Sequence, residues 1–197
     1  MLGGMSSTDK ADEQQLLADL DRATQVFAQL VDNVRPDQLA AQTPCPDVDT
    51  RTLIEHLIDG SWYFAALLTG GRAADGAPDP EPLPAAFRAA SGQMLAAFAA
   101  PGRLAHDYDP PVGSPSGRSS GTRLAKVRLI ELVVHGWDLA RATGQHMGAF
   151  PADLCEHSLA VAHELYTNRG AGFGPPQPVQ ETAAAVDKLA AFLGRPV

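Results

Sequence analysis

Apolar residues recur at three- and four-residue intervals along most of this chain, and strict alternation is scarce, so the pattern is helical. Between Ala11 and Val31, one stripe carries Leu16, Leu17, Leu20, Ala23, Phe27, Leu30 and Val31. A punctuated stretch, NVRPDQLAAQTPCPDVDT, follows. Its Pro44 and Pro46 lack backbone donors and disfavour helix before them, and Asp49 or Thr50 can cap what comes next. A second helix is predicted over Arg51 to Leu68, with Leu53, Leu57, Trp62, Phe64, Leu67 and Leu68, ending at Gly70-Gly71. The Pro/Gly-rich AADGAPDPEPLP is a connector. A third helix, Pro84 to Ala100, uses Phe87, Met94, Leu95 and Phe98.

The stretch PGRLAHDYDPPVGSPSGRSSG is longer than a simple connection, with room for short extended pieces around Leu104 to Tyr108. The longest unbroken pattern runs from Thr122 to Thr143 and stops at Gly144. A fifth helix, Pro151 to Tyr166, starts on a first-turn proline. The loop TNRGAGFGPPQPVQ leads to a short final helix, Thr182 to Leu193. Long helices in series imply an all-α bundle. The organisation expected is a flexible segment at 1–13, the bundle at 14–170, and a tail with a short helix at 171–197 that belongs to the same domain.

The chain has 197 residues, the size of one domain. Its net charge of −8 and only 15 Lys plus Arg, without a basic cluster, speak against nucleic acid as a partner. No apolar run reaches the roughly 18 residues of a membrane span, and the N-terminus has no signal-peptide pattern, so a cytoplasmic protein is expected. Met5 is a candidate alternative start. Cys45 and Cys155 form no CxxC motif and read as reduced thiols.

Candidate chemistry concentrates in ELVVHGWDLARATG, Glu131 to Gly144. Glu131 and His135, four apart, lie one turn apart on the same helix face, and Asp138 continues that stripe. With Val127, Ile130 and Val134 beside them, the stripe is expected to face the interior, where a Glu-His pair needs a compensating partner such as a metal. In the second helix, His56 stands among Leu53, Leu57 and Trp62. Two histidines and a carboxylate make the ligand set of open zinc sites and of mononuclear non-haem iron. Spacing alone reads more blandly: Glu131 and His135 as a surface helix pair, His56 as a hydrogen-bonded core residue. It does not establish that the two helices meet through these faces.

TPCPDVDTRTLIEHLIDG, ELVVHGWDLARATG, GFGPPQPV and the closing LAAFLGRP together resemble the actinobacterial metal-binding proteins of the mycothiol-dependent maleylpyruvate isomerase group, within the DinB-like superfamily. The resemblance spans about Gln14 to Pro196. It implies a DinB-like four-helix bundle, here with an additional C-terminal helical extension, and a divalent metal, most readily Zn²⁺, held by His56, Glu131 and His135. It also implies mycothiol, a small thiol, as co-substrate of a transferase or isomerase acting on an electrophile. The chain departs from the pattern at Val48, where relatives usually have tryptophan. It has little room for the second domain of the characterised isomerases. The competing function is a non-catalytic metal-binding or stress-response bundle.

Other residues have two readings each. Cys45 is either a redox-sensitive thiol or a small residue packing its loop, the second being preferred. Asp138 either orients His135 or Trp137, or forms a salt bridge to Arg141 or a neighbour. Trp62 and Trp137 read as core before pocket lining. Arg123, Lys126, Arg128 and Arg141 read as a solvated face before an anion site. His106, His146, His157 and His163 fall outside the motifs.

Overall fold

The structure is a computed structural model, and it describes residues 7–71, 82–109, 117–146, 150–166 and 174–197. Most of the connector AADGAPDPEPLP, the start of GFGPPQPV and Met5 lie outside the described residues.

Six α-helices carry the described chain: α1 (Ser7–Asp32), α2 (Thr50–Thr69), α3 (Leu83–Ala99), α4 (Gly121–Thr143), α5 (Ala152–Leu165) and α6 (Ala185–Phe192). A single 3₁₀ turn, Pro36–Gln38, follows α1. Two-residue strands β1 (Asp107–Tyr108) and β2 (Ser119–Ser120) pair antiparallel ahead of α4, so the extended piece expected near Tyr108 is present. Helix α1 starts at Ser7, inside the segment read as flexible. From Thr8 to Asp12 that turn is exposed.

Helices α1 to α4 form the bundle. α2 packs on α3, α3 on α1, α1 on α4, and α4 on α2, closing a four-membered ring. Helices α5 and α6 then pack on the outer side of α4 and on each other. This is the all-α, DinB-like four-helix architecture with a C-terminal helical extension. Its centre is apolar. Phe27 of α1 meets Phe87 of α3 with ring centroids 4.9 Å apart, and Phe64 of α2 meets Phe98 of α3 at 5.9 Å. Because α4 is covered by α1 and α2 on one side and α5 and α6 on the other, all but one of the residues from Arg128 to Ala140 are buried, Glu131 being the exception.

Capping fixes the two helices that matter most for function. Asp49 accepts from the Thr52 amide at the start of α2, and Gly70 ends it at φ 76°. Ser120 accepts from the Arg123 amide at the start of α4, and Gly144 ends it at φ 67°. Pro151 stands just before α5 as its cap, one place ahead of the expected first turn.

The loop before α2 is tied to itself. The Thr43 amide donates to the Val48 carbonyl at 3.0 Å, and the Thr43 hydroxyl donates to the same oxygen at 2.7 Å. Asp47 takes φ 61°, a conformation that aspartate tolerates better than most side chains. The tight turn holds Cys45 against the bundle, half-buried.

Candidate metal centre

Helices α2 and α4 bring His56 and His135 together. Their rings meet edge-on with centroids 5.4 Å apart. Glu131 lies one turn before His135 on α4, with its side chain 26% exposed. His135 is buried, whereas His56 sits at the rim and is exposed. The three residues therefore grade from interior to solvent, and a molecule in solution can reach the His56 end.

The rim position does not leave His56 unperturbed. Crowding by neighbouring atoms is the larger cause that holds its imidazole below the ordinary pKa, and His135 pushes the same way, while Glu131 opposes both. The neutral imidazole is the form that binds a metal. The donor set thus fits a divalent cation: two imidazoles, one of them biased to the neutral form, and a carboxylate of hard oxygen donors.

Glu131 has a partner that spacing did not announce. Arg128, wholly buried, donates from Nη1 to Glu131 Oε2 at 3.2 Å. Its Nη2 donates to the Leu57 carbonyl and to Ser61 Oγ of α2, both at 2.6 Å. Arg128 was expected on a solvated face. It is buried because Gly60 and Ser61 leave room for a guanidinium between the helices: a Cβ on Gly60 would stand 2.9 Å from Nη1. Burial lowers the Arg128 pKa and Glu131 holds it up. Its Nε has no hydrogen-bond partner. The other three basic residues do lie outside: Lys126 pairs with Glu164 at 2.8 Å, Arg123 is exposed, and Arg141 stacks over Trp137 at 5.1 Å.

Asp138 meets both a histidine and an arginine, so each of its two readings finds a partner. Its Oδ2 lies 3.1 Å from His135 Nδ1, and it accepts from Arg195, not Arg141. Asp138 is wholly buried and Arg195 is 5% exposed. Trp137, also wholly buried, donates from its indole nitrogen to Asp187 of α6 at 2.8 Å, so its role is packing and anchoring. Trp62 is partly buried against the core. His157 lies 2.7 Å from Asp19, His106 packs on Tyr108, and His163 packs on Phe192, all away from this centre.

A second cluster shares His135. Ligand atoms of Cys45, His135 and Asp138 lie within 4.8 Å of one another, the one trio that close among the described residues, with His56 and Glu131 outside it. Its chemistry suits a cation less well. Both Asp138 oxygens already face the Arg195 guanidinium, at 3.1 to 3.4 Å, so an ion there must displace a buried positive charge. Burial also pushes the Cys45 thiol pKa up, away from the thiolate that a metal requires. Both cysteines are free.

The sequence model of the family described as mycothiol maleylpyruvate isomerase N-terminal domain matches residues 20–140. The chain belongs to this family. Two relatives from Mycobacterium tuberculosis, strains CDC 1551 / Oshkosh and ATCC 25618 / H37Rv, are each 34% identical over 185 residues, covering 89% of this chain and 95% of theirs. Both carry the name uncharacterized protein. No solved structure matches the chain significantly. The matched region contains all of α2 and most of α4, and with them His56, Glu131 and His135. Among the described residues no helix is long and apolar enough to cross a membrane.

Proposed function

We propose that this protein holds one divalent metal ion, most readily Zn²⁺, through His56, Glu131 and His135, and uses it to bind a low-molecular-weight thiol. Mycothiol is the thiol the family points to, and the protein then acts in the cytoplasm as a thiol-dependent transferase or isomerase. The observation that carries this reading is the meeting of His56 and His135 across the α2–α4 interface, one turn from Glu131.

A bound divalent cation supplies one kind of chemistry here: it lowers the pKa of a coordinated thiol so that the thiolate forms near neutral pH. The protein's own residues favour that use. Three protein ligands leave a coordination position free, whereas structural zinc normally takes four. His56 at the rim leaves that side open to solvent. Arg128 neutralises Glu131, and Arg195 neutralises Asp138, so the site without a cation is close to balanced in charge. The cation's charge then calls for an anion from outside, which a thiolate provides. Arg128 also fixes the Glu131 carboxylate against α2, which keeps both ligand helices in register.

Loading with Co²⁺ and titrating with mycothiol tests the proposal. A sulfur-to-metal charge-transfer band is expected to grow with thiol. A spectrum unchanged at saturating thiol overturns thiol activation and leaves the competing function, a metal-binding bundle without catalysis. A protein that takes up no metal overturns both.

A further inference from the structure

The C-terminal segment after α6 is built to send one charged side chain into the bundle. Gly194 turns the chain at φ 89°, a conformation suited to glycine. A Cβ there would lie 2.8 to 2.9 Å from backbone atoms of Gly174, so the two strands of chain touch at these glycines. The Arg195 amide then donates to the Ala190 carbonyl at 2.9 Å, and its Nη1 donates to the Leu193 carbonyl at 2.9 Å. These bonds fix the guanidinium with Nη2 3.1 Å from Asp138 Oδ2 and Nε 3.4 Å from both Asp138 oxygens. Asp138 Oδ2 in turn faces His135 Nδ1 at 3.1 Å. None of Gly174, Gly194 and Arg195 lies within the part of the chain that the family's sequence model matches.

We propose that Arg195 and Asp138 are positioning residues for the metal centre: Arg195 fixes the Asp138 carboxylate, which holds the proton of His135 on Nδ1 and leaves the Nε2 lone pair as the ligand atom. The inference rests on the proposed metal site. A buried carboxylate with no counter-charge is costly, and Arg195 is the cation that removes this cost. A carboxylate only accepts, so the His135 nitrogen facing it is the one that bears hydrogen, and a neutral imidazole then has its lone pair on the other nitrogen. A carboxylate behind a ligating histidine fixes ring orientation and raises ligand basicity. The tail of the chain thereby becomes part of the site that α2 and α4 frame.

Two measurements on the full-length protein test this. In the metal-free protein, long-range ¹H–¹⁵N correlation spectra of the imidazoles report the His135 tautomer. Wild type is expected to carry the proton on Nδ1, and Asp138→Asn and Arg195→Met to lose that uniform tautomer. Zn²⁺ affinity, by competition with a chromophoric chelator, is expected to fall about 10- to 100-fold in both variants and to recover in part in Arg195→Lys. Asp187→Ala controls for the docking of α6: it removes the bond to Trp137 and is expected to leave affinity unchanged. An equal loss in Asp187→Ala makes the effect one of helix docking and overturns the inference, as does an unchanged tautomer in Arg195→Met. If wild type binds no Zn²⁺, the proposed function fails, while the tautomer still decides whether Arg195 and Asp138 set His135. If His135→Ala abolishes Zn²⁺ binding but Arg195→Met retains wild-type affinity, the metal site stands and the inference fails.

Discussion

Arg128 Nη1 and Glu131 Oε2 stand 3.2 Å apart, one turn of α4 between them, with the arginine wholly buried and the glutamate at the edge. The pair is more than a helix contact, since the same guanidinium reaches two acceptors on α2. Arg128→Met is expected to lower stability by about 1–3 kcal/mol, because Ser61 Oγ and Glu131 lose a charged donor, while the Leu57 carbonyl keeps the Ser61 hydroxyl. Glu131→Gln is expected to lose less, since Arg128 keeps both bonds to α2. Urea unfolding of the metal-free proteins measures both.

The two candidate ligand sets differ in every residue but His135, and metal stoichiometry separates them. His56→Ala, Glu131→Ala and His135→Ala are each expected to lose stoichiometric Zn²⁺, whereas Cys45→Ser is expected to keep one ion per chain. Elemental analysis after dialysis gives the answer. Retention in His56→Ala with loss in Cys45→Ser would move the site to the Cys45, His135, Asp138 trio.

Gly136 lies where α4 passes Phe150. A Cβ at this position would stand 2.3 Å from Phe150 Cζ, so the ring or the helix must move. Gly136→Ala is expected to cost about 1–3 kcal/mol through overpacking. Adding Phe150→Leu relieves the clash, so the double variant is expected to be more stable than the sum of the single changes implies, which a double-mutant cycle detects.

Alkaline pH acts through two residues on or beside α5. Burial raises the Cys155 thiol to about 11, with nearby acidic residues adding to it, and raises Tyr166 to about 12, with Glu131 adding to it. Both groups are therefore held protonated in the fold more firmly than in the unfolded chain. Their contribution to stability is complete below the unfolded pKa of each, about 9 for the thiol and about 10 for the phenol, and is lost as pH rises through the folded values. The melting temperature is expected to fall between pH 9 and 11 by less in Cys155→Ala than in wild type. The native Cys155 thiol is also expected to resist alkylation at pH 8, with Cys45 the faster of the two.

Much of this fold is legible in the hydrophobic spacing, because helix ends here carry strong local signals: Asp49 before α2, Gly70 and Gly144 after α2 and α4. The histidine on α2 and the Glu-His pair on α4 are visible too, but the family resemblance, not their spacing, joins them. What the sequence hides is the set of arginines. Arg128 reads as surface because its charge is conspicuous, while the reason it can be buried, two small residues at 60 and 61, is on another helix. Arg195 is 57 residues from Asp138, and no periodicity links them. Asp138 has two partners available by spacing, Arg141 and His135. Arg141 stands over the Trp137 ring instead, and the arginine that pairs with Asp138 is Arg195.

The small residue at position 60 has a meaning for descent as well as for packing. A Cβ there would press on the Arg128 guanidinium at 2.9 Å, so a side chain at 60 requires position 128 to give way. Relatives that keep arginine at 128 are expected to keep glycine at 60. Those that replace the arginine gain licence for a bulkier residue opposite, and with it a different way of steadying the glutamate.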